Sequence, residues 1–189
     1  MDLLDLIDSR RSTPARQLGE PGPTPVQVER LLGAAIRVPD HGKLVPWRLL
    51  TIAGETRIAL GEKLAQIHHH LEPEIASALL TKDRERFSFA PIIVAVIARI
   101  DEHHPKIPAQ EQLLSAGCVA YNLLLGAQAL GFGAQWLTGW AAYDAGAAAL
   151  FGLAPHERIV AFVHIGTPKE AAPERTRPAL CDVVGELRV

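Results

Sequence analysis

Residues 111–139 read EQLLSAGCVAYNLLLGAQALGFGAQWLTG, and this stretch decides the fold. Its Ala- and Leu-rich first part, apolar on nearly every face, predicts one long helix over 111–130. A helix apolar all round is normally buried, either in a core or in a subunit interface. Gly131 and Gly133 stop it, and Ala134 to Leu137 are expected to be extended. One subunit of this size would struggle to cover such a helix alone, which is a first sign of an obligate dimer.

Working outward, residues 92–97 (IIVAVI) follow Pro91 and are dominated by β-branched side chains, so they predict a central strand buried on both faces. Residues 159–165 (IVAFVHI) read as a second buried strand, and Gly166-Thr167-Pro168 as a turn after it. Trp47 to Ala53 alternates as a strand ending at Gly54. Helices are expected at the N-terminus, through Leu3, Leu4, Leu6 and Ile7, and from Pro25 behind the cap Thr24. Two more lie over 56–80, divided near Pro73, and a short one over 142–151. The Gly/Pro-dense 18–25 segment and residues 39–46 are expected to be loops. Helices and strands thus alternate with helix in excess, an α/β or α+β sandwich around a small sheet, organised as a single domain over 1–189.

Bulk properties exclude several functions. At 48% hydrophobic and 21% charged residues the chain folds, and a formal charge of -2 provides no field for nucleic acid. No run reaches the roughly 18 apolar residues of a membrane span, and Met1 to Arg11 lacks a signal-peptide core, so the expected location is the cytoplasm. Cys118 and Cys181 have no metal-ligand spacing and read as buried small hydrophobes, with one disulfide left open. His68, His69 and His70 point three ways on a helix, and His103 with His104 sits in a loop expected to be mobile, so no metal site is expected. There is no G-x-G-x-x-G after a strand, no P-loop and no G-x-S-x-G elbow.

Four collinear pieces are more specific. They are Arg10-Arg11-Ser12; Arg37-Val38-Pro39-Asp40-His41 with Pro46-Trp47-Arg48; Ser115-Ala116-Gly117 through Asn122 and Gly131-Phe132-Gly133 to Trp136-Leu137-Thr138-Gly139; and Ile165-Gly166-Thr167-Pro168. Their order and spacing resemble the nitroreductase family, in particular its short bacterial members, over most of the chain. The resemblance implies an FMN-dependent fold with a central, mostly antiparallel sheet flanked by helices, in an intertwined homodimer. It implies hydride transfer from NAD(P)H through flavin N5 to a nitroaromatic, quinone or activated alkene by a ping-pong mechanism. The alternative is a flavin-holding or sensing protein without turnover.

By the same resemblance Arg10, Arg11 and Ser12 bind the phosphate and ribityl end or the pyrimidine edge, chemistry that suits paired guanidinium groups and a hydroxyl. Arg37 and His41 are supplied across the interface by the second subunit. Trp136, Leu137, Thr138 and Gly139 contact the ring, with the amide of Thr138 or Gly139 aimed at N5. No catalytic side chain is expected. Trp140 reads as a core aromatic, and Lys106 as a contact for an anionic substrate. The chain departs from many relatives in carrying Asp40, His41, Gly42, Lys43 and Val45 where a Ser/Asn-rich loop is common, which leaves the substrate open. Arg175-Thr176-Arg177-Pro178 is either a phosphate-contacting pair or a solvated tail.

Overall fold

A computed structural model describes residues 2–189. Its elements in chain order are α1 (Leu3–Ser9), β1 (Leu18–Gly19), α2 (Pro25–Ala35), β2 (Trp47–Ala53), α3 (Glu55–Leu71) and α4 (Ser77–Glu85). They continue with β3 (Ile92–Arg99), α5 (Ala109–Ala129), β4 (Gly133–Leu137), α6 (Ala145–Leu150), β5 (Glu157–Pro168) and α7 (Leu180–Val183).

The sheet runs β1-β5-β3-β2, with β4 also paired to β5, and every pairing is antiparallel. β3 and β5 are therefore central, and alternation along β3 sorts its side chains between two cores. Val94, Val96 and Ala98 face α2 and α5, packing with Leu31, Ala116, Val119, Ala120 and Leu123. Ile93, Ala95 and Ile97 face the opposite layer, with Leu60, Leu64, Phe87, Ala147 and Phe151. Three layers result, and burying each large aliphatic side chain contributes about 1.5 to 3 kcal/mol.

Local chemistry sets the helix starts. Thr24 and Gln27 form a reciprocal capping box in front of Pro25 at the first turn of α2, and Asp2 and Asp5 do the same for α1. Gly61 lets α4 close onto α3: a Cβ there would lie 2.1 Å from the Arg84 carbonyl oxygen. None of the described helices is long and apolar enough to cross a membrane.

Several expectations need correction. Gly166-Thr167-Pro168 is not a turn but the end of β5, because Leu18 and Gly19 pair with Pro168 and Thr167. That pairing also makes a short strand of residues inside the expected 18–25 loop, and the ring of Pro168, which lacks an N–H, is tolerated at the strand's end. The helix expected over 142–151 is divided into a 3-10 turn at Trp140–Ala142 and α6, capped by Asp144, whose side chain accepts from the Ala147 N–H. Both cysteines are exposed and free, not buried. On α5 the inward stripe is Ala116, Val119, Ala120 and Leu123, so Cys118 falls on the outer face beside Leu114 and Tyr121. The His103–His104 loop is fastened: His104 Nδ1 accepts the N–H of Ile107 at 3.0 Å, and Gln112 bridges Asp101 and Ile107.

Candidate functional site

Arg10 ends α1 in extended backbone and turns the chain onto β4, where the Thr13 N–H donates to the Ala134 carbonyl at 3.0 Å. The Ala15 N–H reaches Gln135 Oε1 at 2.5 Å. α1 is tied in turn to the C-terminal end of α5, since Gln128 Nε2 donates to the Leu6 carbonyl and to Ser9 Oγ. Arg10, Arg11 and Ser12 therefore arrive beside the start of β4, with Arg10 Nη1 3.4 Å from Ser12 Oγ.

Arg11 donates to the carbonyls of Asp8 and Arg10 and pairs with Glu174 at 2.6 Å, while its Nε is buried without a partner. The hydrogen bond between them raises the Arg11 pKa and lowers that of Glu174, and both groups stay charged. Glu174 also fastens the tail that carries Arg175 and Arg177 near this spot, and Arg177 adds to the pull on its carboxylate. A cleft of about 270 Å³ opens here, lined by Ser9, Arg11, Thr13, Gln128, Gly133 and Pro168. The exposed carboxylate of Glu170 also lines the cleft and is held by Gln17 Nε2. Two carboxylates, Glu170 and Glu174, thus stand beside the Arg11 guanidinium, whose unpartnered buried Nε still suits an anion such as a phosphate ester.

β4 carries Trp136 and Leu137 opposite Val163 and Phe162, with Trp136 half-exposed and its indole N–H on the Val160 carbonyl at 3.2 Å. Thr138 and exposed Gly139 follow, Gly139 at φ +73°, a conformation that favours glycine. Behind them lies a buried charged cluster that the sequence reading missed. Asp83, 2% exposed, accepts from Trp140 Nε1 at 2.8 Å and meets His68 Nδ1 at 2.5 Å. Arg86 lies 3.6 Å from Asp83 and donates through Nη1 to the Thr138 carbonyl at 3.1 Å. Buried His164 sits nearby with neither ring nitrogen partnered; burial first, and then the Arg86 guanidinium, push it down to about 4, so the ring is neutral. Within TKDRERF (81–87) these charges look like a solvated face, and nothing in the local pattern separates Asp83 and Arg86 from their exposed neighbours. Trp140 packs against the core as expected, its ring 4.6 Å from that of His68 and tilted by 42°.

Arg37 and His41 are elsewhere. His41 Nδ1 meets Glu111 at 2.7 Å near the N-terminal end of α5, and Arg37 is exposed with its carbonyl accepting from Asn122. Asp40 holds this loop by accepting the N–H groups of Leu44 and Val45, which keeps Lys43 and Val45 in left-handed backbone that a β-branched residue rarely adopts. A groove of about 640 Å³ adjoins the loop, lined by Val45, Pro46, Arg99, His103 and His156. From Glu111 to Gln128 the helix rises roughly 25 Å at its usual pitch. The donors expected to act together are thus spread along α5: Arg10, Arg11 and Ser12 lie by Gln128, Arg37 by Asn122 and His41 by Glu111, while β4 carries residues 136–139 away from Gly133 to the middle of the sheet.

Sequence and structure comparisons agree. The family model described as "Nitroreductase family" matches residues 7–167. A Haemophilus influenzae protein named "Putative NAD(P)H nitroreductase" is 36% identical over 177 residues, which cover 94% of each chain. The crystal structure of a nitroreductase-like family protein from Bacillus cereus shares the fold with a TM-score of 0.83 at 22% identity, covering 99% of this chain and 96% of that one. A variant of the FMN- and NADPH-dependent nitroreductase NfnB, from a sphigopyxis sp. strain, superposes with a TM-score of 0.77 at 19% identity, covering 98% and 99%.

Proposed function

This chain belongs to the nitroreductase family, and from that premise we propose that it is an FMN-dependent oxidoreductase. In this reading it is a single-domain homodimer that takes electrons from NAD(P)H and reduces a nitroaromatic, quinone or activated alkene. The observation that carries the reading is the separation of Arg10, Arg11 and Ser12 from His41 along α5.

Arg10, Arg11 and Ser12 cannot share one end of a small molecule with His41 of the same chain across that distance. A two-fold axis crossing α5 removes the difficulty, because two antiparallel copies lay the Glu111 end of one beside the Gln128 end of the other. Exposed Leu114 and Tyr121, with Cys118 and Gly117 between them, form the unpartnered stripe such a contact would cover. The cleft of about 270 Å³ at Arg11 is then half of a site, below the roughly 300 to 1,000 Å³ usual for ligand pockets. The partner's Arg37 and His41 complete it.

Bound FMN would supply the redox chemistry, accepting hydride at N5 from the nicotinamide and passing it to the acceptor. The protein's own part is to hold and orient. Arg10, Arg11 and Ser12 take the phosphate or the pyrimidine edge through charge-assisted hydrogen bonds, and Trp136, Leu137 and Thr138 line the ring. The amide of Thr138 or Gly139 would donate toward N5. Reductant and acceptor share one cleft and so alternate, which gives ping-pong kinetics. No side chain is assigned as an obligatory acid or base.

The test is an absorbance spectrum of the purified protein with added FMN, followed by anaerobic reduction with NADH and NADPH and sedimentation to give the oligomeric state. Flavin uptake by a dimer with nicotinamide-dependent bleaching is expected. A colourless monomer overturns the reading, and FMN uptake without turnover of any acceptor favours a flavin-holding role.

A further inference from the structure

Arg86 is a poor device for stability alone. Its side chain is 15% exposed, its Nε is buried without a partner, and its nearest approach to Asp83 is 3.6 Å. A buried charge so incompletely paired costs several kcal/mol that an apolar side chain would avoid. Its one good hydrogen bond goes to the Thr138 carbonyl. That carbonyl belongs to the same peptide unit as the Gly139 N–H, and in a planar trans peptide the two groups point in opposite directions. Drawing the carbonyl inward onto the guanidinium turns the N–H outward. Among the described residues no backbone carbonyl accepts from the Gly139 N–H. The approach is close enough that a Cβ on Gly139 would lie 2.2 Å from Arg86 Nη1.

We propose that Arg86, held by buried Asp83, is a positioning residue that aims the Gly139 N–H into the flavin cleft and sets the electrostatics behind the ring. The inference rests on the FMN reading above and chooses Gly139 over Thr138 as the donor. Asp83 is itself fixed by Trp140 and His68, so the α3–α4 layer clamps the end of β4 from behind. A cation on the carbonyl also polarises the peptide and strengthens its N–H as a donor. Charge near the ring tunes flavin electronics, a positive charge favouring the electron-rich form.

The test is the midpoint potential and visible spectrum of the FMN-loaded protein in Arg86→Gln and Asp83→Asn variants. Arg86→Gln is expected to move the potential more negative and Asp83→Asn more positive, opposite signs that loss of packing would not produce. Amide hydrogen exchange on the unmodified protein supplies a reading that needs no variant to fold. The Gly139 amide should exchange freely without FMN and become protected when FMN is added. FMN uptake with unchanged or same-direction potentials, or a Gly139 amide already protected without FMN, overturns the inference while leaving the family function intact. Failure of the unmodified protein to take up any FMN overturns both.

Discussion

At the Gln128 end of α5, Arg10 to Ser12 lie on the turn that leads into the sheet, whereas Arg37 and His41 lie on an exposed loop that runs along α5 from Asn122 to Glu111. Arg10 to Ser12 are located by main-chain bonds from Thr13 to β4 and by Gln128 on α1. Arg37 and His41 lie exposed on a segment kept in shape by Asp40 and tied to α5 by Asn122 on the Arg37 carbonyl, Ser115 on the Pro39 carbonyl and Glu111 on the His41 ring, while the Arg37 side chain itself extends into solvent. Under the proposed composite site, the difference is between a half-site built within one chain and another that becomes useful only against a second copy. Preorganised donors lose little freedom when a ligand arrives, while mobile ones lose more.

The sharpest way to break this contrast is just past the end of β4, the strand that Arg10 to Ser12 lead onto. Gly139→Ala puts a Cβ against Arg86 at φ +73°, a combination of backbone strain and overpacking expected to cost about 4 kcal/mol. A lower melting temperature and loss of FMN binding should both follow, and a variant that binds FMN like the parent would contradict the placement of residue 139.

The Glu111 end can be loosened from beneath. Glu157 at the start of β5 accepts two hydrogen bonds from Arg48, both at 2.7 Å, and with Arg99 anchors the sheet below the His41 loop. The Arg48 hydrogen bonds, ahead of every other influence, hold the Glu157 carboxyl at about 2 against an ordinary 4.5. Because the folded value is the lower one, its stabilisation is present above pH 4.5 and is lost as pH falls toward 2. Glu157→Gln should lower the unfolding free energy by about 2 to 3 kcal/mol at neutral pH and much less near pH 2, as read from urea melts.

Arg10→Ala is expected to weaken FMN binding by about 1.5 to 3 kcal/mol, and His41→Ala by a smaller amount, each measured by fluorescence titration. The mixed dimer of these two variants sharpens the comparison. If the site is composite, that dimer holds one site with both changes and one with neither, so parental affinity returns at half occupancy. Uniformly weak binding in the mixed dimer would place both residues in the same subunit's site. The smallest effect belongs to Glu174→Gln, which leaves stability unchanged and tightens FMN slightly by releasing Arg11 from an exposed ion pair.

The long helix, the buried strands and the cap at Thr24 were legible in the sequence because each is written in contiguous residues. β2 matches its expected bounds, and α5 and β4 shift by only one or two residues at their ends. Gly166 to Pro168 misled for the same reason: Gly and Pro punctuate locally, while their strand partners Leu18 and Gly19 lie far away in the chain. The Arg10-Arg11-Ser12 and Trp136-to-Gly139 pieces could be singled out as motifs. Asp83, Arg86 and His164 could not, since a charged residue on a short polar helix looks solvated until another layer covers it.

By itself the sequence determined the family and the long helices and strands, and it singled out candidate flavin donors, because periodicity, caps and collinear motifs depend on neighbours along the chain. Only the tertiary structure decided which donors stand together. The length of α5 puts Arg10 and His41 at opposite ends, and the closure of α4 onto α3 carries a buried guanidinium to the back of the Thr138–Gly139 peptide. Both facts are distances between residues remote in sequence, and packing alone sets them.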